Sequence, residues 1–529
     1  MSGSTWWSAS VGYEVYLRSF GDADGDGIGD LEGLRERLEY LTWLGIDLVW
    51  ITPFFPSPMH DQGYDVSDYR DVDPTYGTLA DFDALVADAH GLGIRVLVDL
   101  IPNHTSVEHL WFREARSARD NPYRDYYVWR DPAAGGGPPN NWVSVFGGPA
   151  WTLDDATGQY WLHLFLADQP DLNWADPRVG VEFDEIMRFW LERGADGFRI
   201  DVADALVKHP ELPDNPVATA AWKGPPAGVA SDWGSLEHVY DVGQPGVREI
   251  HRRWRKIAEP YDALLVGETG LADAEKLALF VNGQDGLHST FWFEPMEMDW
   301  SPATVRASLA AASTASDHLA WVQGSHDRPR AATRFGGGET GRACSLALAV
   351  LMLGLPGLPF VYQGEELGLV DGLVSPEEAQ DPISRRTGEH ALGRDGCRTP
   401  MPWEPGPGLG FTTAERGWLP FGGRTDADTV SVQRAEPASM LHRYRRLLRL
   451  RPELPGASAP LEWLDATGPV VAYRRDALLV AANCGEEAAT FVLPPGTWTV
   501  AYDTEGTERR TIRETVPLEA AGAVLLLSA

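Results

Sequence analysis

Residues 95–104 read RVLVDLIPNH, an almost unbroken aliphatic run with Asp99 near its end and His104 just beyond it. A strand this uniformly apolar has to be buried on both faces, as in a parallel sheet covered by helices. Seven comparable runs stand along the chain: YEVYL from 13, DLVWI from 47, GFRID from 197, ALLVG from 263, STFWF from 289, LAWVQ from 319 and LPFVY from 358. Helix patterns such as LEGLRERLEYLTWL (31–44) lie between them. Eight strands alternating with helices predict an α/β fold of the (β/α)8 TIM barrel type. The gap after the third strand is too long for one helix, and residues 105–175 are rich in Gly, Pro, Asn and aromatics. They are expected to form an inserted subdomain on the barrel face where the strands end. Beyond SMLHRYRRLLRLR (439–451) the pattern turns to short alternating strands, among them VVAYRR, ALLVAANCG and AVLLLS. The expected division is therefore a barrel over 1–104 and 176–457, the insertion over 105–175, and an antiparallel C-terminal β-sandwich over 458–529.

Composition narrows the function. The 529 residues are 43% hydrophobic and 23% charged, which is globular. The net charge of −33 repels phosphate backbones and anionic lipid headgroups, so neither nucleic acid nor membrane is an expected partner. Three widely spaced cysteines, Cys344, Cys397 and Cys484, suit a reducing compartment, and the first residues lack the basic and apolar regions of a secretory signal. A cytoplasmic protein is expected. The apolar stretch 344–362 is broken by Leu-Pro-Gly at 355–357 and reads as a buried helix followed by a buried strand.

Catalytic groups of such barrels project from the carboxyl ends of the strands. Here those ends carry Asp99 and His104, Arg199 and Asp201, Glu268, and His326 with Asp327. A lone Asp at a strand end usually caps a helix, but four carboxylates converging on one mouth are costly unless chemistry uses them. Paired carboxylates point to glycoside hydrolysis, with one ionised nucleophile and one protonated acid. Arg199 and Asp201 are two residues apart on one strand and share a face, so Arg199 is expected to keep Asp201 ionised. Glu268 has no basic neighbour in sequence and follows ALLVG, which favours its neutral form. Asp201 is thus the expected nucleophile and Glu268 the expected acid/base.

These residues sit in motifs that resemble the α-amylase family of retaining α-glycoside hydrolases, nearest its α-glucosidase and oligo-1,6-glucosidase branch. The motifs are DLIPNHTS (99–106), GFRIDVA (197–203), VGET (266–269), SHDRPR (325–330) and, in the insertion, QPDLNW (169–174). The resemblance implies catalytic roles for Asp201, Glu268 and Asp327, the last binding sugar hydroxyls. It implies substrate contacts from His104, Phe165 and His326, with Arg199 orienting Asp201. It implies that Asp61 and Tyr64 receive the non-reducing glucose, and that Arg398 is the arginine pairing with Asp61. Ser325, where the family usually has Asn, and FWFEPMEMDW (291–300) are departures that bear on substrate preference.

In the loop after the first strand, Asp22, Asp24, Asp26, Ile28 and Asp30 alternate with small residues, a spacing that suits a hard, oxygen-coordinated cation. Gly33 occupies the twelfth position from Asp22, so this is not an EF-hand, and the resembling enzymes hold a structural calcium there. The expected activity is that of a retaining exo-α-glucosidase acting on short α-glucosides, without organic cofactor. A transglucosidase or sucrose/trehalose isomerase on the same scaffold is the alternative. A catalytically silent, transporter-associated subunit would be expected to lose carboxylates that this chain keeps.

Overall fold

A computed structural model describes residues 6–219, 228–283, 285–388, 390–456, 458–466, 468–506 and 510–528. The first five residues, on which the reading of the amino terminus partly rests, lie outside these. All eight apolar runs are strands: β1 Gly12–Val15, β2 Leu48–Ile51, β3 Arg95–Leu100, β4 Gly197–Ile200, β5 Leu264–Gly267, β6 Ser289–Trp292, β7 Leu319–Trp321 and β8 Leu358–Tyr362. Each pairs in parallel with the next, and β8 closes on β1 with Gly12 opposite Phe360, completing an eight-stranded barrel. Gly12 is required at that closure, because a Cβ there would stand 2.5 Å from the Phe360 ring, which fills the barrel axis.

The two-residue period of the strands decides where chemistry can sit. Outward residues such as Val96, Val98, Phe198 and Leu265 pack in the main core with the helices. Inward residues form a second core of Leu48, Trp50, Leu97, Leu264, Val266, Phe291 and Phe360, closed below by Trp7 from the turn Trp6–Ala9. Continuing each inward series by two residues changes its character: Leu97 leads to Asp99, Gly197 to Arg199 and Asp201, and Val266 to Glu268. The polar groups therefore stand on an apolar floor at the carboxyl ends.

Between β3 and β4 the chain forms a helix, Leu110–Ser117, and a three-stranded sheet of Trp129–Arg130, Gln159–Leu162 and Trp151–Asp154. The ion pair of Lys208 with Asp171 (2.8 Å) ties this segment to the loop after β4. The stretch 344–362 is the end of helix Gly338–Gly354 followed by β8. Among the described residues no helix is long and apolar enough to cross a membrane. The C-terminal sheet has six antiparallel strands, faced by a two-stranded sheet of Ala489–Val492 and Thr515–Leu518. It docks on the helix before β8, where Tyr473 donates to the Leu351 carbonyl (2.5 Å) and Arg475 to that of Gly354 (2.6 Å).

Candidate active site

The centre of the barrel mouth is the Arg199 guanidinium, fully buried and bonded to three carboxylates. Nη1 donates to Asp99 (2.9 Å) and Asp201 (2.7 Å), and Nη2 to Glu268 Oε2 (2.6 Å). β4 and β5 pair with Arg199 opposite Val266, so Asp201 and Glu268, each at the carboxyl end of its strand, project into the same mouth. The absence of a basic neighbour for Glu268 in sequence is thus misleading, since the adjacent strand supplies one. The clamp on Glu268 has further parts: its Oε2 accepts the Val202 N–H (3.1 Å), and its carbonyl accepts that of Ala203 (2.6 Å). Val202 makes its bond from φ 35°, a left-handed backbone that a β-branched residue rarely adopts.

Arg199 is shared among three carboxylates, so its charge is not reserved for Asp201. Burial pushes the Asp201 carboxyl well above its ordinary range. Arg199 opposes this, while the neighbouring carboxylates Glu268 and Asp99 add to it. Asp99 lies beneath them, bonded by Trp50 Nε1 (3.0 Å) and Tyr64 Oη (3.0 Å); burial lifts it to about 6 against the pull of Arg199.

Asp327 has the opposite environment. Its Oδ1 accepts from Arg394 Nη1 (2.9 Å) and Arg398 Nη2 (3.0 Å), its Oδ2 lies 3.4 Å from His326 Nε2, and Ser325 Oγ accepts its N–H (3.1 Å). Burial acts to raise this carboxyl, but His326, Arg394 and Arg398 together hold it well below the usual range. His326 is itself held well below its ordinary value by burial. The imidazole is fixed between the rings of Tyr16 and Tyr64 (5.4 Å centroid separations), with Nδ1 2.6 Å from Glu14 Oε1.

The arginine paired with Asp61 is Arg394, not Arg398. Arg394 Nη2 bonds Asp61 Oδ1 (3.0 Å) and its Nε bonds Asp381 (2.5 Å), whereas Arg398 is spent on Asp327 and the His326 carbonyl. Gln169 of the QPDLNW motif also donates to Asp61 (3.2 Å), and its amide lies 3.2 Å from His104 Nε2. Burial pushes His104 down to about 4, and the Phe165 ring lies 5.1 Å from it. Arg394 and Gln169 were not singled out from sequence; the signal available was the position of Gln169 at the head of the recognised motif.

Asp61, Tyr64, His104, Phe165, Asp201, Glu268, His326, Asp327 and Arg394 line one cavity of about 630 Å³. Arg199 lies behind the carboxylates and Arg398 behind Asp327. In the acidic loop, carboxylate oxygens of Asp22, Asp24 and Asp30 come within 4.8 Å of one another. Asp22 and Asp30 also accept loop amides, from Gly25 (2.7 Å) and Ala23 (2.9 Å). Asp26 is not part of this group; it accepts the Ile28 N–H (2.7 Å).

Comparison with known proteins agrees with this geometry. The family model for the α-amylase catalytic domain matches residues 14–456. A probable α-glucosidase of Rhizobium meliloti (strain 1021) is 42% identical over 502 residues, covering 92% of this chain and 91% of that protein. An oligo-1,6-glucosidase of Heyndrickxia coagulans is 37% identical over 552 residues, covering 95% and 97%. Among solved structures, an α-glucosyl transfer enzyme, XgtA, superimposes with a TM-score of 0.91 at 38% identity, covering 99% of this chain and all of that one.

Proposed function

The chain belongs to the α-amylase family of glycoside hydrolases, and from that premise we propose that it is a retaining, exo-acting α-glucosidase. The observation that carries the stereochemistry is that Asp201 and Glu268 are held on one guanidinium, Asp201 on Nη1 (2.7 Å) and Glu268 on Nη2 (2.6 Å). Inverting enzymes need roughly 6.5–9.5 Å between their carboxyls to admit a water; a pair bridged by a single guanidinium better suits the covalent intermediate of the retaining route. Exo action follows from the Asp61–Arg394–Asp327 array, which closes one end of the cavity with charged groups suited to terminal sugar hydroxyls.

In the proposed cycle Glu268 delivers its proton to the glycosidic oxygen as Asp201 attacks the anomeric carbon. The leaving alcohol departs and a β-glucosyl ester forms. Because Oε2 of Glu268 is occupied by Arg199 and Val202, the transferable proton resides on Oε1. Ionised Glu268 then takes a proton from water, the hydroxide displaces the ester, and α-glucose leaves. No step calls for an organic cofactor. The likeness to a transfer enzyme favours a second outcome, in which a sugar or alcohol replaces that water. Product analysis on maltose, isomaltose, sucrose, trehalose, kojibiose and nigerose separates the two. First-formed β-glucose by NMR, or no glucose or glucoside product from any substrate, would sink the proposal.

Structural calcium is proposed at Asp22, Asp24 and Asp30, with the Ile28 carbonyl as a further ligand. Three carboxylates held this close repel one another unless a cation lies among them. The ion would brace the loop after β1 and take no part in turnover. A chelated sample should melt lower than a calcium-loaded one at equal activity per folded molecule, and equal melting would leave the loop a plain acidic turn. A cytoplasmic location is proposed on the three cysteines, all buried and free.

A further inference from the structure

Glu14 is a buried carboxyl that the cycle above does not use. It stands at the carboxyl end of β1 on the inward face, 1% exposed, with Trp50 of β2 and Tyr362 of β8 opposite it in the barrel register. Its Oε1 meets two atoms of His326: the backbone N–H donates to it (3.1 Å), and ring Nδ1 lies 2.6 Å away. On the far side of the ring, Nε2 lies 3.4 Å from Asp327 Oδ2 at the cavity wall. Stacking between Tyr16 and Tyr64 fixes the ring in this orientation.

These contacts leave few placements for the protons. Oε1 and Nδ1 are so close that one must lie between them, since two bare lone pairs would repel. A bare Nε2 would turn its own lone pair on the Asp327 carboxylate, so Nε2 carries hydrogen as well. The ring is therefore protonated at Nε2, and one further proton is shared by Nδ1 and Glu14. The surroundings favour the carboxyl side. Burial disfavours an imidazolium, and although Asp327 favours one, Arg398, Arg199 and Arg394 do not. Burial likewise disfavours a Glu14 anion, as do Asp327 and Asp99, against the pull of the His326 N–H and Arg199.

We propose that Glu14 is a positioning residue for the glucose site: as a carboxylic acid it donates to His326 Nδ1 and so holds the ring, across neutral pH, as an Nε2–H donor facing the sugar. This rests on the α-glucosidase reading above.

Glu14→Gln keeps the shape and removes the acid. The amide must turn its oxygen to the His326 N–H, because its NH2 there would leave that buried N–H unpaired. The same oxygen can only accept from Nδ1, so the neutral ring takes the Nδ1–H form and Nε2 is left bare. The Nε2–H form returns only when the ring gains a second proton. The test is kcat and KM of the full-length enzyme and the variant on maltose from about pH 4.5 to 8. The variant should approach wild type in acid and lose about 10-fold in kcat/KM by pH 7, mainly through KM, the order of one hydrogen bond. A variant profile that parallels the wild type, whatever its level, would overturn the proposal, because a purely structural role moves the level and not the shape. A second readout needs no variant of Glu14: 15N NMR of ring-labelled histidines, with His326 assigned by its absence from His326→Asn. At pH 7 the wild-type signal should show hydrogen on Nε2, and a bare Nε2 would also overturn the proposal. Failure of the wild type to cleave maltose or any other α-glucoside would instead overturn the α-glucosidase reading and the sugar-facing role with it, whereas the NMR result stands apart from activity.

Discussion

Arg394→Ala tests the closed end of the pocket most directly. The guanidinium touches three carboxylates, Asp61 at 3.0 Å, Asp327 at 2.9 Å and Asp381 at 2.5 Å. Without it Asp327 keeps Arg398 at 3.0 Å and Asp381 has Arg398 at 4.0 Å, but no other cation forms a salt bridge with Asp61 among the described residues. Breaking a buried ion pair from one side costs about 3–5 kcal/mol. At roughly 2 °C or less per kcal/mol for a chain of this size, Tm should fall by about 5–10 °C. The sign of its pH dependence follows from Asp327, whose depressed carboxyl contributes stability above its unfolded value and loses it as pH falls through the folded one. The deficit of the variant should therefore be largest near neutrality and shrink in acid. The charge-assisted hydrogen bonds of ~1.5–3 kcal/mol that Asp61 and Asp327 would accept from the glucose hydroxyls would be weakened, a loss of roughly 10²–10³ in kcat/KM for maltose. Both carboxyls would also move upward, shifting the acidic limb of the pH–rate profile to higher pH. Calorimetry from about pH 3 to 7, a range that spans the ordinary Asp value, and a full pH–rate profile read these effects. A variant with wild-type KM and an unmoved acidic limb would refute the reasoning.

Further expectations concern the chemistry and the core. Asp201→Asn should lose about 10⁴-fold or more in kcat, because an amide cannot form the ester, while still binding glucose by calorimetry. Glu268→Gln should lose far more on maltose than on nitrophenyl glucoside, whose leaving group needs little protonation; equal losses would argue against its role as the acid. Val202→Thr should raise the maltose to isomaltose ratio of kcat/KM by a modest factor, since a methyl-sized change is worth ~1–3 kcal/mol, and a lowered ratio would place linkage reading elsewhere. Burial lifts Glu365 to about 7 against hydrogen bonds from Gln323 and Tyr444. Its contribution is full below the unfolded value near 4.5 and is lost as pH rises to about 7, so Glu365→Gln should lessen the fall in stability from pH 5 to 8 by roughly 2–3 kcal/mol, read by denaturant titration at both pH values.

Much of this molecule was legible in its sequence because the strands are so apolar. A run such as RVLVDL has no amphipathic alternative, and its period of two brings Asp99 onto the same inward face as Leu97. Eight such runs leave few arrangements besides a closed barrel, and the carboxylates of the mouth, Asp201, Glu268 and Asp327, stand just past the ends of those runs. Charge balance was harder to read. Arg199 was assigned to Asp201 because the two are adjacent on one strand, yet its bond to Glu268 depends on the register between β4 and β5. Arg394 and Arg398 flank a single helical turn in a segment without strand periodicity, and choosing between them required knowing which reaches across to the loop carrying Asp61. Asp26 shares the alternation of its neighbours, but its carboxylate turns back on the loop's own amide at Ile28.

The closure of β1 on β8 constrains how the protein is made. Glu14 accepts from His326, and Tyr13 donates to Glu366 (2.9 Å), so the strand that leaves the ribosome first finds its partners more than 300 residues later. At ~5–20 residues per second, β1 waits roughly 20–70 s with one edge unpaired, which is long enough for nascent chains on a polysome to associate through those edges. The same delay means that the His326 ring lacks its Glu14 partner until the barrel shuts. A ribosome-bound chain stalled before residue 358 therefore carries Asp201 and Glu268 without an ordered pocket, and acquisition of activity reports completion of the barrel during synthesis.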